Sequence, residues 1–123
     1  MRVAQAVAKA IPAVREALAH HGFGVLTEID VQATMRSKLD VETGPYVILG
    51  ACNPALAYRA LGIEPSLGLL LPCNVIVREV DGNTLVEAID PNIMTDLSGN
   101  TDLAAIAAEA ATRLRAALAE LSD

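Results

Sequence analysis

Aromatic residues are nearly absent from this sequence. They make up 2% of its 123 residues, and there is no tryptophan. The three rings belong to Phe23, Tyr46 and Tyr58. Hydrophobic residues still make up 53% of the chain, so the core must be built mainly from Leu, Val, Ile and Ala. Few rings remain to stack on bases or on flat cofactors, and we expect no cofactor.

Basic residues are also scarce, with 9 Lys and Arg against 15 Asp and Glu and a net charge of −6. They are scattered, and the densest group is the short stretch 36–38. An acidic chain without a basic patch is repelled by phosphate backbones. We therefore predict that nucleic acid is not a partner.

Long apolar runs are missing as well. No stretch approaches the roughly 18 residues that a membrane span requires, so no membrane partner is expected. The alanine-rich beginning resembles an amphipathic helix more than a signal peptide. Two cysteines without a spacing pattern favour a reducing compartment over a disulfide framework. Together these features predict a cytoplasmic protein that forms a single domain over residues 1–123.

Periodicity and turn signals predict the secondary structure. Pro12 interrupts the first helix and predicts either a kink or a loosely formed start. The expected elements are a helix over 3–20, strand 23–30, a short helix 31–39, strand 46–51, helix 53–61, a long strand 68–80, strand 84–90, a polar loop 92–100 and a helix over 102–121. This order predicts an α+β fold with a single antiparallel sheet of four, possibly five, strands and helices on one face.

Apolar residues occupy both faces of the predicted sheet. Val75 and Val77 point to one face, whereas Ile76 and Val80 point to the other. One layer of helices covers only one face, so the second face needs another cover. A second copy of the same chain is the simplest cover, and we predict a homodimer.

Four segments, at residues 22–31, 46–54, 68–75 and 89–91, carry a family resemblance. Two of them contain a Cys-Asn pair, Cys52-Asn53 and Cys73-Asn74. From about residue 12 to the C-terminus the chain resembles the family called domain of unknown function 302. The resemblance implies a fold like a TATA-binding-protein half-domain, in the order β-α-β(4)-α, and a dimer, but no activity. The first strand of that fold is either missing here or reduced to a stub within residues 1–5.

The two Cys-Asn pairs supply the strongest candidates for a functional site. Cys52 lies where a strand ends and a helix begins, where the helix dipole lowers a thiol pKa. Cys73 follows a proline near a strand irregularity, and the two thiols meet if both positions lie on one rim of the sheet. Asn53 is a good N-cap, whereas Asn74 within a strand needs a partner. The alternative is that both cysteines are packing residues and both asparagines are structural.

Carboxylates form a second candidate group. Glu28 and Asp30 share one strand face and could act in acid–base chemistry or bind a hard cation. Asp90 precedes a proline, a context typical of turns. The alternative interpretation is a solvated face and a turn former. His20 and His21 suit a helix end, and without a CxxC motif or a histidine at ligand spacing no metal site is expected.

Three functions remain open on this basis. The first is a module that binds a small apolar or thiol-reactive ligand near Cys52, Asn53, Cys73 and Asn74, with Glu28 and Asp90 as further candidate contacts. The second is a thiol-redox or soft-metal-handling protein that uses the two cysteines. The third is a structural or regulatory partner protein. No nucleophile–base pair is evident, so the balance leans away from an enzyme.

Overall fold

The computed structural model describes residues 1–121. Turn residues, caps and apolar periodicity place the helices and strands along the chain. They are β1 (Arg2–Val3), α1 (Val7–His20), β2 (Gly24–Asp30), α2 (Val31–Leu39), β3 (Tyr46–Cys52), α3 (Pro54–Ile63), β4 (Cys73–Val80), β5 (Asn83–Ala88), α4 (Ile93–Ser98) and α5 (Ala104–Ala119), with 3-10 helices at Pro65–Leu70 and Thr101–Leu103.

The strands form one antiparallel sheet in the order β1-β5-β4-β3-β2. This confirms the predicted α+β fold and fixes the number of strands at five. The first strand is the two-residue stub β1, which pairs with β5 at the sheet edge. Gly82, at a φ of +80°, turns the chain between β4 and β5; that left-handed conformation favours glycine.

The core fills the space between one sheet face and the helices α1 and α5. Leu49 of β3 pairs with Val75 of β4, Val75 pairs with Ala88 of β5, and this row faces the helices. The apolar faces of α1 and α5 pack onto this row with small and branched side chains. Such packing is expected in a chain with few aromatic residues. The buried members of this cluster are Val3, Val7, Ala10, Val14, Leu18, Phe23, Val47, Leu49, Ala51, Cys73, Val75, Val77, Val86, Leu114 and Ala117.

The opposite sheet face is open. In register across it lie Ile29, Ile48, Ile76 and Glu87. Ile29 is 48% exposed, and Ile48 and Ile76 are half-buried. Helix α2 has no buried residue and lies near the start of β3. Among residues 1–121, therefore, no helix packs over the middle of this face.

Three details of the predicted secondary structure are wrong. Val3 belongs to β1, and α1 begins only at Val7 and continues through Pro12. The expected strand 68–80 begins at Cys73, because Pro65–Leu70 forms a 3-10 helix. The expected polar loop 92–100 contains α4, which ends at Gly99 in a left-handed conformation. Within residues 1–121, none of the helices is long and apolar enough to cross a bilayer.

Candidate functional site: an apolar cavity lined by two thiols

The candidate site lies where β3 ends and β4 begins. Cys52 is the last residue of β3, and Cys73 is the first residue of β4. The Cα of Cys73 pairs with that of Ala51, so the sheet register places Cys52 one residue further along the neighbouring strand. Two cysteines that are 21 positions apart in sequence thereby become neighbours at one rim of the sheet.

Asn53 and Pro54 start helix α3 immediately after the first thiol. The side-chain Oδ1 of Asn53 accepts a hydrogen bond from the backbone N–H of Leu56 at 3.1 Å. Pro54 occupies the first helical position, where no intrahelical N–H bond is lost. This cap fixes the direction in which α3 leaves the sheet, and it turns the apolar face of α3 over the two cysteines.

A cavity of about 30 Å³ lies between the rim of the sheet and the surrounding helices. That volume has room for about two or three water-sized groups. Its walls are almost entirely apolar, and both cysteines are among the lining residues. The lining residues are Phe23, Ala51, Cys52, Asn53, Leu56, Ala57, Ala60, Leu71, Cys73, Met94, Ile106 and Ala110.

The two thiols are free but not equivalent. Cys73 is only 8% exposed. Burial raises the pKa of the Cys73 thiol, and the nearby Cys52 raises it further, because a thiolate is unfavourable both in apolar surroundings and beside another thiolate. Cys73 is therefore a neutral thiol at pH 7. Cys52 is half-buried and is the more accessible of the two.

The other predicted site residues lie outside the cavity. Asn74 pairs with Gly50 and is exposed on the open sheet face, so the second Cys-Asn pair points its two side chains in opposite directions. Glu28 forms an ion pair with Arg15 at 2.6 Å, and each side chain is 43% exposed. Asp90 accepts hydrogen bonds from the backbone and side-chain nitrogens of Asn92, both at 3.0 Å. These contacts are those of an exposed ion pair and a turn.

Asp30, the partner of Glu28 in the predicted acidic face, caps helix α2. Its Oδ1 accepts a hydrogen bond from the N–H of Ala33 at 2.9 Å. Within residues 1–121, no group of three His, Cys, Asp or Glu side chains is arranged to hold a metal ion. The carboxylates of this strand thus have local structural partners.

The two histidines join the ends of helices α1 and α5. His20 Nδ1 lies 3.0 Å from Glu120 Oε2, and His21 Nε2 lies 2.7 Å from Glu120 Oε1. The contact with Glu120 raises the pKa of His20, and both histidines lower the pKa of Glu120. We call this group of His20, His21 and Glu120 the latch. It links the two helices at the surface, and none of its residues lines the cavity.

Sequence reasoning missed most of the cavity wall. Phe23, Met94, Ile106 and Ala110 come from segments far apart in the chain. Apolar periodicity predicted burial for Ile106 and Ala110, whereas Met94 lies in the segment that was expected to be a polar loop. Nothing in a single sequence predicts which buried residues border an unfilled space. One signal was available, because Phe23 is the only phenylalanine and lies three residues after the end of α1 at His20.

Comparisons with known proteins bear on the whole chain. The family described as "Domain of unknown function DUF302" matches residues 1–121. A solved structure described as an uncharacterized conserved DUF302 protein from Bacillus stearothermophilus is 30% identical in sequence. The alignment covers 99% of this chain and 95% of that one, with a TM-score of 0.92. Among the curated proteins no match is found.

Proposed function

The chain belongs to the DUF302 family, which is defined by its domain and not by an activity, and we propose that it is a small-ligand-binding module. The site is the cavity at Cys52 and Cys73. The observation that carries this proposal is that two free cysteines line one small apolar space at the rim of the sheet. Ligand sites are typically concave, mostly apolar and marked by a few polar groups.

The cavity restricts the class of ligand. Its volume of about 30 Å³ has room for the apolar end of a ligand, about two or three carbon-sized groups. The neutral thiol of Cys73 favours an apolar group over a cation there. The more accessible Cys52 allows for a ligand that reacts with thiols. We therefore propose a small apolar or thiol-reactive ligand.

Native mass spectrometry of freshly purified protein tests this function. We expect extra mass from a retained small molecule on the wild type and on Ala108→Val, an exposed change on α5. The matched variant Ala110→Val places a larger side chain in the cavity wall and should lose that mass. Extra mass retained by Ala110→Val would show that the ligand lies elsewhere.

A thiol-redox function is the second candidate, because the register makes Cys52 and Cys73 neighbours. Oxidised glutathione would take two electrons from the pair, leaving one intramolecular disulfide and two molecules of glutathione. It ranks second because the raised pKa of Cys73 disfavours the thiolate that exchange requires. A loss of two hydrogens in the intact mass, absent in Cys52→Ser, would favour it. A soft metal ion shared by both thiols would instead appear as added metal mass.

We also propose that the open sheet face pairs with a second copy of the chain. The row Ile29, Ile48 and Ile76 crosses that face, and beside it Arg78 forms a 2.9 Å ion pair with Glu87. A twofold arrangement would bury the isoleucines against themselves and set charges of opposite sign against each other. The two free cysteines suit a reducing compartment, and we propose that the protein is cytoplasmic.

Light scattering coupled to size-exclusion chromatography tests the dimer. We expect twice the 12.8 kDa chain mass for the wild type. Ile76→Glu, in the middle of the open face, should give a folded monomer. Leu69→Glu, at a side chain that is 88% exposed on the 3-10 helix Pro65–Leu70, should remain a dimer. A wild-type mass of one chain at high micromolar concentration would contradict the dimer.

A further inference from the structure

A second concave surface lies between the 3-10 helix Pro65–Leu70 and helix α4, and we call it the leucine groove. Its volume is about 260 Å³, several times that of the cavity at the two cysteines. Its floor is apolar, because Leu67 is buried and Leu70 is half-buried. The groove is lined by two serines, by Glu64 and by Leu67, Leu69, Leu70 and Leu97.

Two of these leucines are exposed to solvent at the walls of the groove. Leu69 is 88% exposed, the most of any large apolar side chain in residues 1–121, and Leu97 is 64% exposed. Single exposed apolar residues are common on protein surfaces. Here, however, two of them flank one groove that also has an apolar floor. A concave apolar patch of this kind is typical of a surface that binds a partner.

The walls of the groove are helical, which restricts the shape of that partner. Their backbone groups bond locally, as in the hydrogen bonds from Leu71 N–H to the Gly68 carbonyl at 3.3 Å and from Gly99 N–H to the Thr95 carbonyl at 3.1 Å. None of the lining residues that the structure describes belongs to a strand. An extended peptide, which binds by pairing with a strand edge, is therefore disfavoured, whereas a helix binds such a groove through its side chains alone.

The charge around the leucine groove is of one sign. Residues 60–72 contain one acid and residues 89–104 contain three, and neither stretch contains Lys or Arg. Glu64 lines the groove, and the exposed Asp96 immediately precedes Leu97 on α4. Within residues 1–121 neither carboxylate forms an ion pair. An apolar groove with an acidic border is complementary to an apolar segment that carries basic residues.

We propose that the leucine groove binds an amphipathic helix of a partner protein, with leucine-like anchors on one face and Lys or Arg beside them. The anchors pack between Leu69 and Leu97, and the basic residues lie against Glu64 and Asp96. Burial of the anchors supplies the affinity, and the opposite charges select the partner and its orientation. The groove shares no lining residue with the cavity, so this interaction is independent of the ligand-binding function.

The probe is a synthetic helical peptide of about four turns, or about fourteen residues. It has leucine at positions i, i+3, i+4 and i+7, lysine beside this stripe, alanine elsewhere and one tryptophan next to the leucines. Because the chain has no tryptophan, the peptide fluorescence reports binding directly. We expect saturable binding of this leucine–lysine peptide. Binding should be about tenfold weaker when glutamate replaces the lysines or alanine replaces the leucines.

Two pairs of variants test the groove itself. Leu97→Ala should weaken binding of the leucine–lysine peptide about tenfold, because a wall of the groove is lost. Leu39→Ala, at a leucine of α2 that is also 64% exposed, should leave binding unchanged. Asp96→Asn should weaken binding about threefold. Asp81→Asn, the same change of charge at the exposed turn between β4 and β5, should have a much smaller effect.

Several outcomes would overturn the proposal. If the leucine–lysine peptide did not bind, or if Leu97→Ala and Leu39→Ala had the same effect, the groove would not be its site. Equal binding of the alanine–lysine peptide would reduce the interaction to net charge. A second copy of the chain is the alternative occupant. If Leu69→Glu lowered the mass measured by light scattering, the groove would be a contact between copies; we expect the wild-type mass.

Discussion

The two faces of the sheet are made by the same strands from the same kind of residue, yet they differ in what covers them. Leu49 and Val75 are fully buried beneath the helices. Their immediate neighbours Ile48 and Ile76 point the other way and are half-buried, and Ile29 beside them is 48% exposed. Similar apolar side chains are thus fully buried on one face and partly exposed to solvent on the other.

The largest expected difference is between Leu49→Ala and Ile48→Ala. Removing Leu49 leaves an unfilled space in a close-packed core and should lower the free energy of unfolding by about 3 kcal/mol. Removing Ile48 in the monomer should cost about 1 kcal/mol, because part of its surface is already in water. Urea unfolding measures both losses in the free energy of unfolding. Each substitution is made in the Ile76→Glu variant, which we expect to be monomeric. Equal losses would contradict the difference between the faces.

One place on the open face is expected to behave like the core. A Cβ on Gly50 would meet Thr27 Oγ1 and would lie 2.7 Å from Pro72 Cγ. Gly50→Ala should therefore destabilise the fold by about 1–3 kcal/mol, the usual range for overpacking. Gly24→Ala on β2, where a Cβ would meet open space, is the matched control. Equal melting temperatures for the two variants would contradict this, because they would mean that Thr27 and Pro72 shift to accommodate the Cβ at little cost.

The smallest expected effect is the pH dependence of the latch between α1 and α5. The pKa of His20 is raised from 6.5, so its contribution to stability is complete below pH 6.5 and is lost as the pH rises through the raised pKa. The pKa of Glu120 is lowered from 4.5, so its contribution is lost in acid. The latch is strongest between these limits.

Because both groups are solvent-exposed, the effect is small. The measurement is the melting temperature of the wild type against His20→Asn at pH 5.5 and pH 8. The wild type should be the more stable at pH 5.5, and the difference should shrink at pH 8. If the difference in melting temperature between the wild type and His20→Asn were larger at pH 8 than at pH 5.5, the predicted direction of the His20 effect would be wrong.

The strands and their faces were predictable because alternation is a local property. Val75 and Ile76 point in opposite directions in any strand, and Asn53 followed by Pro54 is a local start signal for a helix. The 3-10 helix at Pro65–Leu70 was missed because its apolar run, interrupted by Gly68, also fits a buried strand. Short apolar runs of this kind are decided by tertiary packing.

The candidate site was predictable only in part. Cys52 and Cys73 were expected to meet if both lie on one rim of the sheet. Cys73 was placed within the expected strand 68–80, whereas it is the first residue of β4. Asn74 was assigned to the same site because it repeats the Cys-Asn pair, but the alternation of β4 directs it to the opposite face. Met94 was missed, because it lies in the segment 92–100 that was predicted to be a polar loop and that contains α4.

The most direct test of the cavity as a binding site uses the methionines. The chain has three of them, and Met94 alone lines the cavity, whereas Met1 is exposed and Met35 lies on α2. With 13C-methyl methionine and a titration of butyramide, the account predicts a saturable shift of the Met94 signal while the signals of Met1 and Met35 stay in place. A Met94 signal that does not move, or three signals that drift together, would contradict it.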